Sequence, residues 1–559
     1  MSAGGNYLNK KYDDLYNGVS GRGRGLVIPG LYRISNIPRD ILTTVNFSTL
    51  KKMYSLYGLV SVGIKDQLYI DFTGRNDWSS TLPSYNRSFF YPSVSASWLL
   101  NETFELPRNV SLLKFRAGWA QVGNDTDPYQ LEPVIGINSL SGYPSVSTSI
   151  SGRLLNPQLK PEIATSIEYG IDVNLYQNRF RFEATYYDMV NRNQILDVGT
   201  PSSSGYDSKL INAGKLESKG WEVLIGGTPL RTENWRGEIN INFSRNRTTI
   251  VELADGIDRI QLWDENGGGS YGRVGEELGA IYSRGYAQVE DPNSPYYRWP
   301  ILDNQGSWQR LDDPQDWIEV GNFNPDFLLG GQMNLSYKRF SVNASMDWRV
   351  GGEFLSFTYR YGESDWKSQR QIDNLIPGGL YSPEELVALL KSDPEKYIIP
   401  QNGNFPRVGG YTKETGGLYT DFGGEGWDGG FIPGVKLGDD GEYIEVLGGP
   451  GTFIAPISDI FAWRFNQQVA FDASFIKLRE VSFGYDIPPF RGVNNLKVSL
   501  FARNLLLWTA ANIGIDPERA FTRGGSFQGD TRMMFKQGIE WQNVVPFTVS
   551  FGFNVNMSF

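Results

Sequence analysis

Between Phe547 and Phe559 the chain alternates without a break. Phe547, Val549, Phe551, Phe553, Val555, Met557 and Phe559 take the odd positions, and Thr548, Ser550, Gly552, Asn554, Asn556 and Ser558 take the even ones. Period two sets one apolar face against one polar face, which is the pattern of a β-strand. The run exceeds the usual strand of about 5–6 residues and suits a tilted crossing of a hydrocarbon layer. The same alternation returns upstream. Ile167, Tyr169, Ile171, Val173 and Leu175 face away from Glu168, Gly170, Asp172 and Asn174. Phe180, Phe182, Ala184 and Tyr186 follow after Gln177-Asn178-Arg179. Gly237 to Phe243, Phe340 to Trp348, Val94 to Trp98 and Leu113 to Trp119 repeat it. Helical signals are scarce; the best is Ser382-Pro383-Glu384-Glu385 before Leu386-Val387-Ala388-Leu389-Leu390, with Ser382 as N-cap and Pro383 at N1.

These segments predict an all-β chain of about 14 strands. A soluble sandwich or propeller would show alternation too. Three features favour a transmembrane antiparallel β-barrel: the length and number of the strands, polar faces rich in Glu, Arg, Asp and Asn, and connections that alternate in length. Lys65-Asp66, 177–179, 228–234, Lys338-Arg339 and 486–494 are tight, whereas 79–90, 123–162, 197–214, 350–470 and 506–544 are long and rich in Gly and aromatics. Outer-membrane barrels have short periplasmic turns and long external loops, so the long set is expected outside. Alternation between the turns at 228–234 and 338–339 requires one more strand within 249–330, with 297–311 as the candidate.

Composition narrows the chemistry. Cys and His are both absent, which excludes disulfides, thiolate nucleophiles, metal–sulfur sites, imidazole bases and His-ligated metals. The net charge of −10 argues against a nucleic-acid binder. No run of about 18 apolar residues exists, so membrane helices are excluded, in keeping with a mean hydropathy of −0.35. Met1-Ser2-Ala3-Gly4-Gly5 has neither the basic nor the apolar region of a signal peptide.

Several segments resemble the SusC/RagA-like family of TonB-dependent outer-membrane transporters. They are Phe72-Thr73-Gly74-Arg75-Asn76-Asp77-Trp78 with Tyr91 to Trp98, Asn156-Pro157-Gln158-Leu159-Lys160-Pro161-Glu162, Asn212 to Glu222, and Gly321-Asn322-Phe323-Asn324-Pro325-Asp326-Phe327. Further matches are Phe475-Ile476-Lys477-Leu478-Arg479-Glu480-Val481, Arg503-Asn504-Leu505, Asp516-Pro517-Glu518 and the terminal Phe559. Most of these residues suit architecture: Asn156-Pro157 and Pro161 set strand entry, and Gly214 and Gly220 allow close approach or a bulge. The resemblance implies a barrel of 22 strands preceded by a signal sequence, a TonB box and a plug. This chain shows none of those N-terminal parts, so it is expected to be the C-terminal 14–16 strands, with 1–50 a loop and incoming strand and 51–559 the barrel. A self-contained barrel of 14–16 strands is the alternative.

The resemblance also implies a function. A family member imports bulky nutrients, glycan or peptide fragments, across the outer membrane of a Gram-negative, Bacteroidetes-like bacterium. It works with a SusD-like surface lipoprotein as lid and with TonB, in pairs that can dimerise, and needs no cofactor. Aromatic faces stack on sugars or peptide groups, so the loop aromatics Tyr129, Tyr143, Tyr206, Trp263, Trp366, Tyr411, Tyr419 and Trp427 are the candidate substrate contacts. Loop-core packing, an interfacial girdle and lid contact are their other roles. The region 350–470 is the candidate lid-contacting or gating loop. Asp421, Glu425 and Asp428, or Asp439 to Glu442, could hold Ca²⁺ through oxygen ligands. A passive porin and a soluble carbohydrate-active enzyme compete with this reading. The enzyme would need separated carboxylates, and Asp312-Asp313 and Asp439-Asp440 are adjacent pairs of the kind found in solvated turns.

Overall fold

A computed structural model describes residues 1–19, 26–38, 41–132, 135–139, 146–150, 152–199, 204–206, 208–257, 259–265, 267–303, 309–313, 315–364, 434–446, 466–490, 492–521, 537–541 and 547–558. Fourteen strands form one sheet whose order is the order of the chain. They are β1 Ser2–Val19, β2 Leu42–Ile64, β3 Leu68–Ser79, β4 Ser88–Leu99, β5 Val110–Asn124, β6 Glu162–Leu175 and β7 Phe180–Arg192. Then come β8 Lys215–Arg231, β9 Trp235–Glu252, β10 Phe327–Tyr337, β11 Phe340–Val350, β12 Phe475–Ile487, β13 Asn495–Thr509 and β14 Ser550–Ser558. The first 50 residues thus hold a complete strand, β1, and the start of the next. The turns 65–67, 176–179, 232–234, 338–339 and 488–494 lie at one end of the strands together with 100–109. Every long connection leaves at the other end; 80–87, expected among the long ones, is no longer than 100–109. In the three-residue turn 65–67, Lys65 and Asp66 both take positive φ, 51° and 54°, the backbone sense of the primed turns whose twist matches that of the strands.

The chain divides into two compact units whose boundary runs along β7, β8 and β9. In the first, Met1–Tyr176 with Ala184–Lys219 and Ile250–Ile257, two of the sequence motifs are halves of one joint. The Asn212 side chain accepts from Lys160 N at 2.8 Å and donates to Lys160 O at 2.8 Å. Glu162 accepts from Ile195 N at 2.8 Å, and Asn156 turns the chain by accepting from Gln158 N at 2.9 Å. Leu159, fully buried, packs with Leu82, Phe89 and Leu210. On the polar face, Asp77 accepts from Arg75 Nε at 2.8 Å and from the Tyr91 hydroxyl at 2.6 Å, and Arg75 also reaches Ser55 at 2.9 Å.

In the second unit the strand missing from the sequence pattern is β10, Phe327–Tyr337, which lies mostly beyond the expected 249–330. It pairs with β9 through Tyr337↔Trp235, Met333↔Ile239 and Gly331↔Ile241. Gly330-Gly331 interrupts its apolar alternation, because a Cβ on Gly330 would meet the Asn242 side chain at 2.7 Å. The segment 297–311 forms no strand of this sheet; its described residues contribute only isolated bridges, such as Gln288↔Pro300 and Ile301↔Val435.

Arg479 is an inserted residue in β12: Ser345 and Met346 of β11 oppose Glu480 and Leu478. That bulge re-aims the strand's side chains. Its neighbour β13 bears Asn504 at φ 52°, whose side-chain amide donates to Thr548 O at 3.2 Å. Along β12, β13 and β14, Phe483, Leu500, Leu506, Phe551 and Phe553 stand 59–74% exposed, which suits a wall facing lipid. At the short-turn end aromatics pair across strands, Trp235 with Tyr337 at 4.4 Å and Phe340 with Tyr485 at 4.8 Å.

Two substitutions test these joints. Gly227 lies so close to the β7 entry that a Cβ would sit 2.2 Å from Arg179 O, so Gly227→Val should cost about 1–3 kcal/mol or more by overpacking, seen as loss of the folded, heat-modifiable band. Asn212→Ala removes both bonds to the Lys160 amide and carbonyl; water replaces part of them at this exposed joint, so roughly 0.5–1.5 kcal/mol should appear as a lower thermal midpoint in detergent and faster proteolysis near 153–162.

Candidate functional site

The long connections of the second unit fold into small sheets of their own. Arg259–Glu265, Gly268–Arg273, Ala280–Ser283 and Ile318–Asn322 make an antiparallel sheet within the β9–β10 connection. Ala470–Asp472, Glu353–Ser356 and Ile539–Glu540 join three distant parts of the chain in another. Trp263, Ile281, Phe323, Leu355, Phe357 and Ile539 form a dry core from these pieces. The four-stranded sheet buries both of its faces: Ile281 packs into this core, and Ala280 and Tyr282 pack into a second with Tyr271 and Trp317.

A network of charges fastens this loop layer to the strands beneath. Lys477, on the polar face of β12 and only 1% exposed, bonds Asp516 at 2.6 Å and Glu518 at 2.5 Å. Arg479, the bulged residue, makes two bonds to Glu518, at 2.7 and 2.6 Å, and one to Asp347 at 2.6 Å. Burial of Glu518 alone would raise its pKa, but the bonds from Arg479 and then Lys477 prevail and hold it at about 2. Asp516 caps the turn Pro517–Ala520 by accepting from Glu518 N at 3.1 Å. From that turn Arg519 reaches Glu540 at 2.9 Å, and the fully buried Glu540 accepts from Ser356 at 2.8 Å and from the Thr358 hydroxyl at 2.7 Å. Glu353 accepts from Asn322 N at 2.7 Å, yet burial holds its carboxyl above the ordinary range. A carboxylate buried without such partners would protonate; here nearly every charge is matched.

The sequence-predicted aromatics separate. Trp263 is 5% exposed, and its Nε1 donates to Gln537 O at 3.0 Å, so it belongs to the loop core. Tyr129 is 57% exposed and held at φ 64°. Tyr206 is half-buried. Tyr143, Trp366, Tyr411, Tyr419 and Trp427 lie outside the described residues, as do Asp421, Glu425, Asp428, most of 350–470 and the helical signal at 382–390. Among the described residues no group of Asp and Glu is placed to hold a metal ion. Asp439 to Glu442 form an exposed turn in which Asp440 accepts from Glu442 N at 3.1 Å. Asp312 is paired with Arg284 at 3.1 Å, and Asp313 closes a turn with Gln315 N at 2.9 Å, so neither serves as half of an acid–base pair. Sequence reasoning missed the charge network. Its signal was the spacing: Lys477 and Arg479 two apart on one strand face, and Asp516 and Glu518 two apart in the loop.

Comparison with known proteins places this geometry. Residues 2–375, more than half of the chain, match the family model described as TonB dependent receptor-like, beta-barrel. TonB-dependent receptor P26 of Formosa agariphila is 26% identical over 93% of this chain and 47% of its own length. TonB-dependent receptor P3 of the same organism is 24% identical over 91% of this chain and 46% of its own. The chain thus spans about half the length of the curated relatives it matches. The solved structure of the RagAB peptide transporter shares the fold, with a TM-score of 0.63 at 20% identity over 92% of this chain and 50% of that one. Proteins of this family form β-barrels of the outer membrane. The chain belongs to the TonB-dependent receptor-like β-barrel family.

Proposed function

We propose that this chain is the greater part of the barrel of an energised importer of bulky polar nutrients, glycan or peptide fragments. In this reading it works with TonB and a SusD-like lipoprotein lid in the outer membrane of a Bacteroidetes-like bacterium. The observation that carries the reading is the loop layer. The connections at one end of the sheet are folded into sheets with a dry core and bolted to the polar strand face by Lys477, Arg479, Glu518 and Glu540. A pore for small solutes needs no such superstructure; a site that must hold a large ligand and its lid does. Loop aromatics supply the contacts: Tyr129, Tyr143, Tyr206, Trp366, Tyr411, Tyr419 and Trp427. Tyr129 is favoured because an exposed aromatic in left-handed backbone is strain of the kind that collects at ligand sites. Trp263 supports the layer from within.

The reading has three tests. In cells making the whole transporter, uptake of a labelled oligosaccharide or peptide should stop when a protonophore collapses the proton-motive force; unchanged uptake would identify a passive porin. Tyr129→Ala should weaken half-saturation by roughly fivefold, the worth of one aromatic contact of about 1 kcal/mol, with the thermal midpoint unmoved; Trp263→Ala should instead lower stability by about 3–5 kcal/mol. The Glu518 network should show acid sensitivity of one sign. Its carboxyl sits at about 2 in the fold against 4.5 unperturbed, so its contribution is complete above 4.5 and is lost as pH falls toward 2. Protease protection of 510–521 should follow that course, and Lys477→Met should loosen the segment at neutral pH by about 3–5 kcal/mol, the cost of stranding a buried partner.

A further inference from the structure

The four-stranded sheet of the β9–β10 connection sets two arginines against each other. Arg259 opens its first strand, Arg273 closes its second, and the register pairs them directly, Arg259↔Arg273. Like charges opposed across an antiparallel pair repel, and a carboxylate beside each would relieve them. Neither has one. Among the described residues the two guanidiniums make no hydrogen bond and no ion pair. What they touch is aromatic: Arg259 lies over Tyr271, 5.3 Å from the ring centre, and Arg273 over Tyr282 at 4.6 Å.

The rings beneath are fixed. Tyr271 and Tyr282 are both buried, meet edge to face at 5.9 Å, and share their core with Ala280 and Trp317. Gly269 leaves room for Tyr271 to lie along the strand, since a Cβ there would stand 2.8 Å from its ring. The hydroxyls are spoken for as well: Tyr271 donates to Asp264 at 3.3 Å, and Tyr282 to Glu276 at 2.9 Å. Each half-buried arginine therefore rests on an immobile ring with its N–H groups unused. Acids stand around the pair without joining it. They are Asp264 and Glu276, held by the two hydroxyls, and exposed Glu319, opposite Tyr282 in the register.

We propose that Arg259 and Arg273 form a carboxylate-binding subsite for the cargo, and that the cargo it fits is an oligosaccharide containing uronic acid. The inference rests on the import role of the proposed function and names its substrate class. A guanidinium offers paired N–H donors that match the two oxygens of a carboxylate. One carboxylate shared by both arginines cancels the repulsion that their register imposes. The rim then selects the cargo. Ionised Asp264, Glu276 and Glu319 only accept hydrogen bonds, so they repel a second carboxylate and take hydroxyl donors. A uronate, one carboxylate on a ring of hydroxyls, satisfies arginines and rim together, and a run of acidic peptide side chains does not.

The test titrates the whole transporter, purified in detergent, with tetrasaccharides of galacturonate, glucuronate, mannuronate and guluronate, each beside its neutral methyl ester. At least one acid should bind about tenfold tighter than its ester, the worth of a charge-assisted bond. Arg259→Gln and Arg273→Gln should each erase that preference while affinity for the ester stays unchanged. Arg273→Lys, which keeps the charge and loses the fork, should fall between. Heat-modifiable mobility should show every variant folded. If no acid binds tighter than its ester, or if the preference survives both substitutions, the inference is overturned and the proposed function stands. Tetraglutamate bound more tightly than every uronate overturns it in favour of acidic peptides. A transporter that neither binds nor imports any oligosaccharide or peptide overturns both.

Discussion

A backbone that crosses hydrocarbon finds no water, so each of its N–H and C=O groups must bond within the protein. That constraint orders this chain. It demands that strands pair side by side, and the simplest way to pair them is with the strand just made, which is the sheet order from β1 to β14. Pairing in turn locks the side-chain period at two. Once the register Val498↔Val555, Leu500↔Phe553 is set, the apolar residues of both strands share a face, and Phe553 can stand 70% exposed without being an error of folding. The same residues in a soluble sheet would be an aggregation surface.

The other face is free to be polar, and there the structure fastens its loops. Long loops face a difficulty: a backbone on the surface is cheap to open, and apolar side chains in it need cover. Two solutions occur. Small loop sheets cover each other around Trp263 and Phe357, and buried ion pairs tie them down. Ion pairs removed from water are weak sources of stability but strong sources of register, since a misplaced loop would strand a charge. Lys477 illustrates the point. Placed on the polar strand face and enclosed by Asp516 and Glu518, it accepts one arrangement of the 510–521 segment and penalises the rest.

Much of this was legible in the sequence, and the failures have physical causes. Strands with clean alternation, such as β6, β7 and β14, declare themselves because each residue reports its own face. β10 does not, since Gly330 and Gly331 have no side chain to report with; Gly330 makes room for Asn242 instead. The family-like motifs were visible as strings, but their meaning was not, because it lies between strings. Asn212 and Lys160 are far apart in sequence and share two hydrogen bonds. The spacing of Lys477 and Arg479 on one face was available, but which acids they meet depends on a loop closure that no local pattern encodes.

The aromatic residues show how one chemical type serves several environments. Tyr337 and Trp235 pack at a tilt near the short turns, where an amphipathic ring can keep its edge at the interface. Trp263 is closed off by neighbours and spends its one donor on a backbone carbonyl. Tyr32 and Tyr129 are held out into solvent by backbone devices, the first by Asn36 filling the loop that bears it and the second by a left-handed turn. Burial is the outcome that hydrophobicity favours by default, so an exposed ring on an ordered loop implies that the surrounding bonds oppose that default. In the lipid wall the solvent explains the exposure. Beyond the wall, where water is the solvent, ordered loops with exposed rings are where a bound partner or ligand would supply the missing cover.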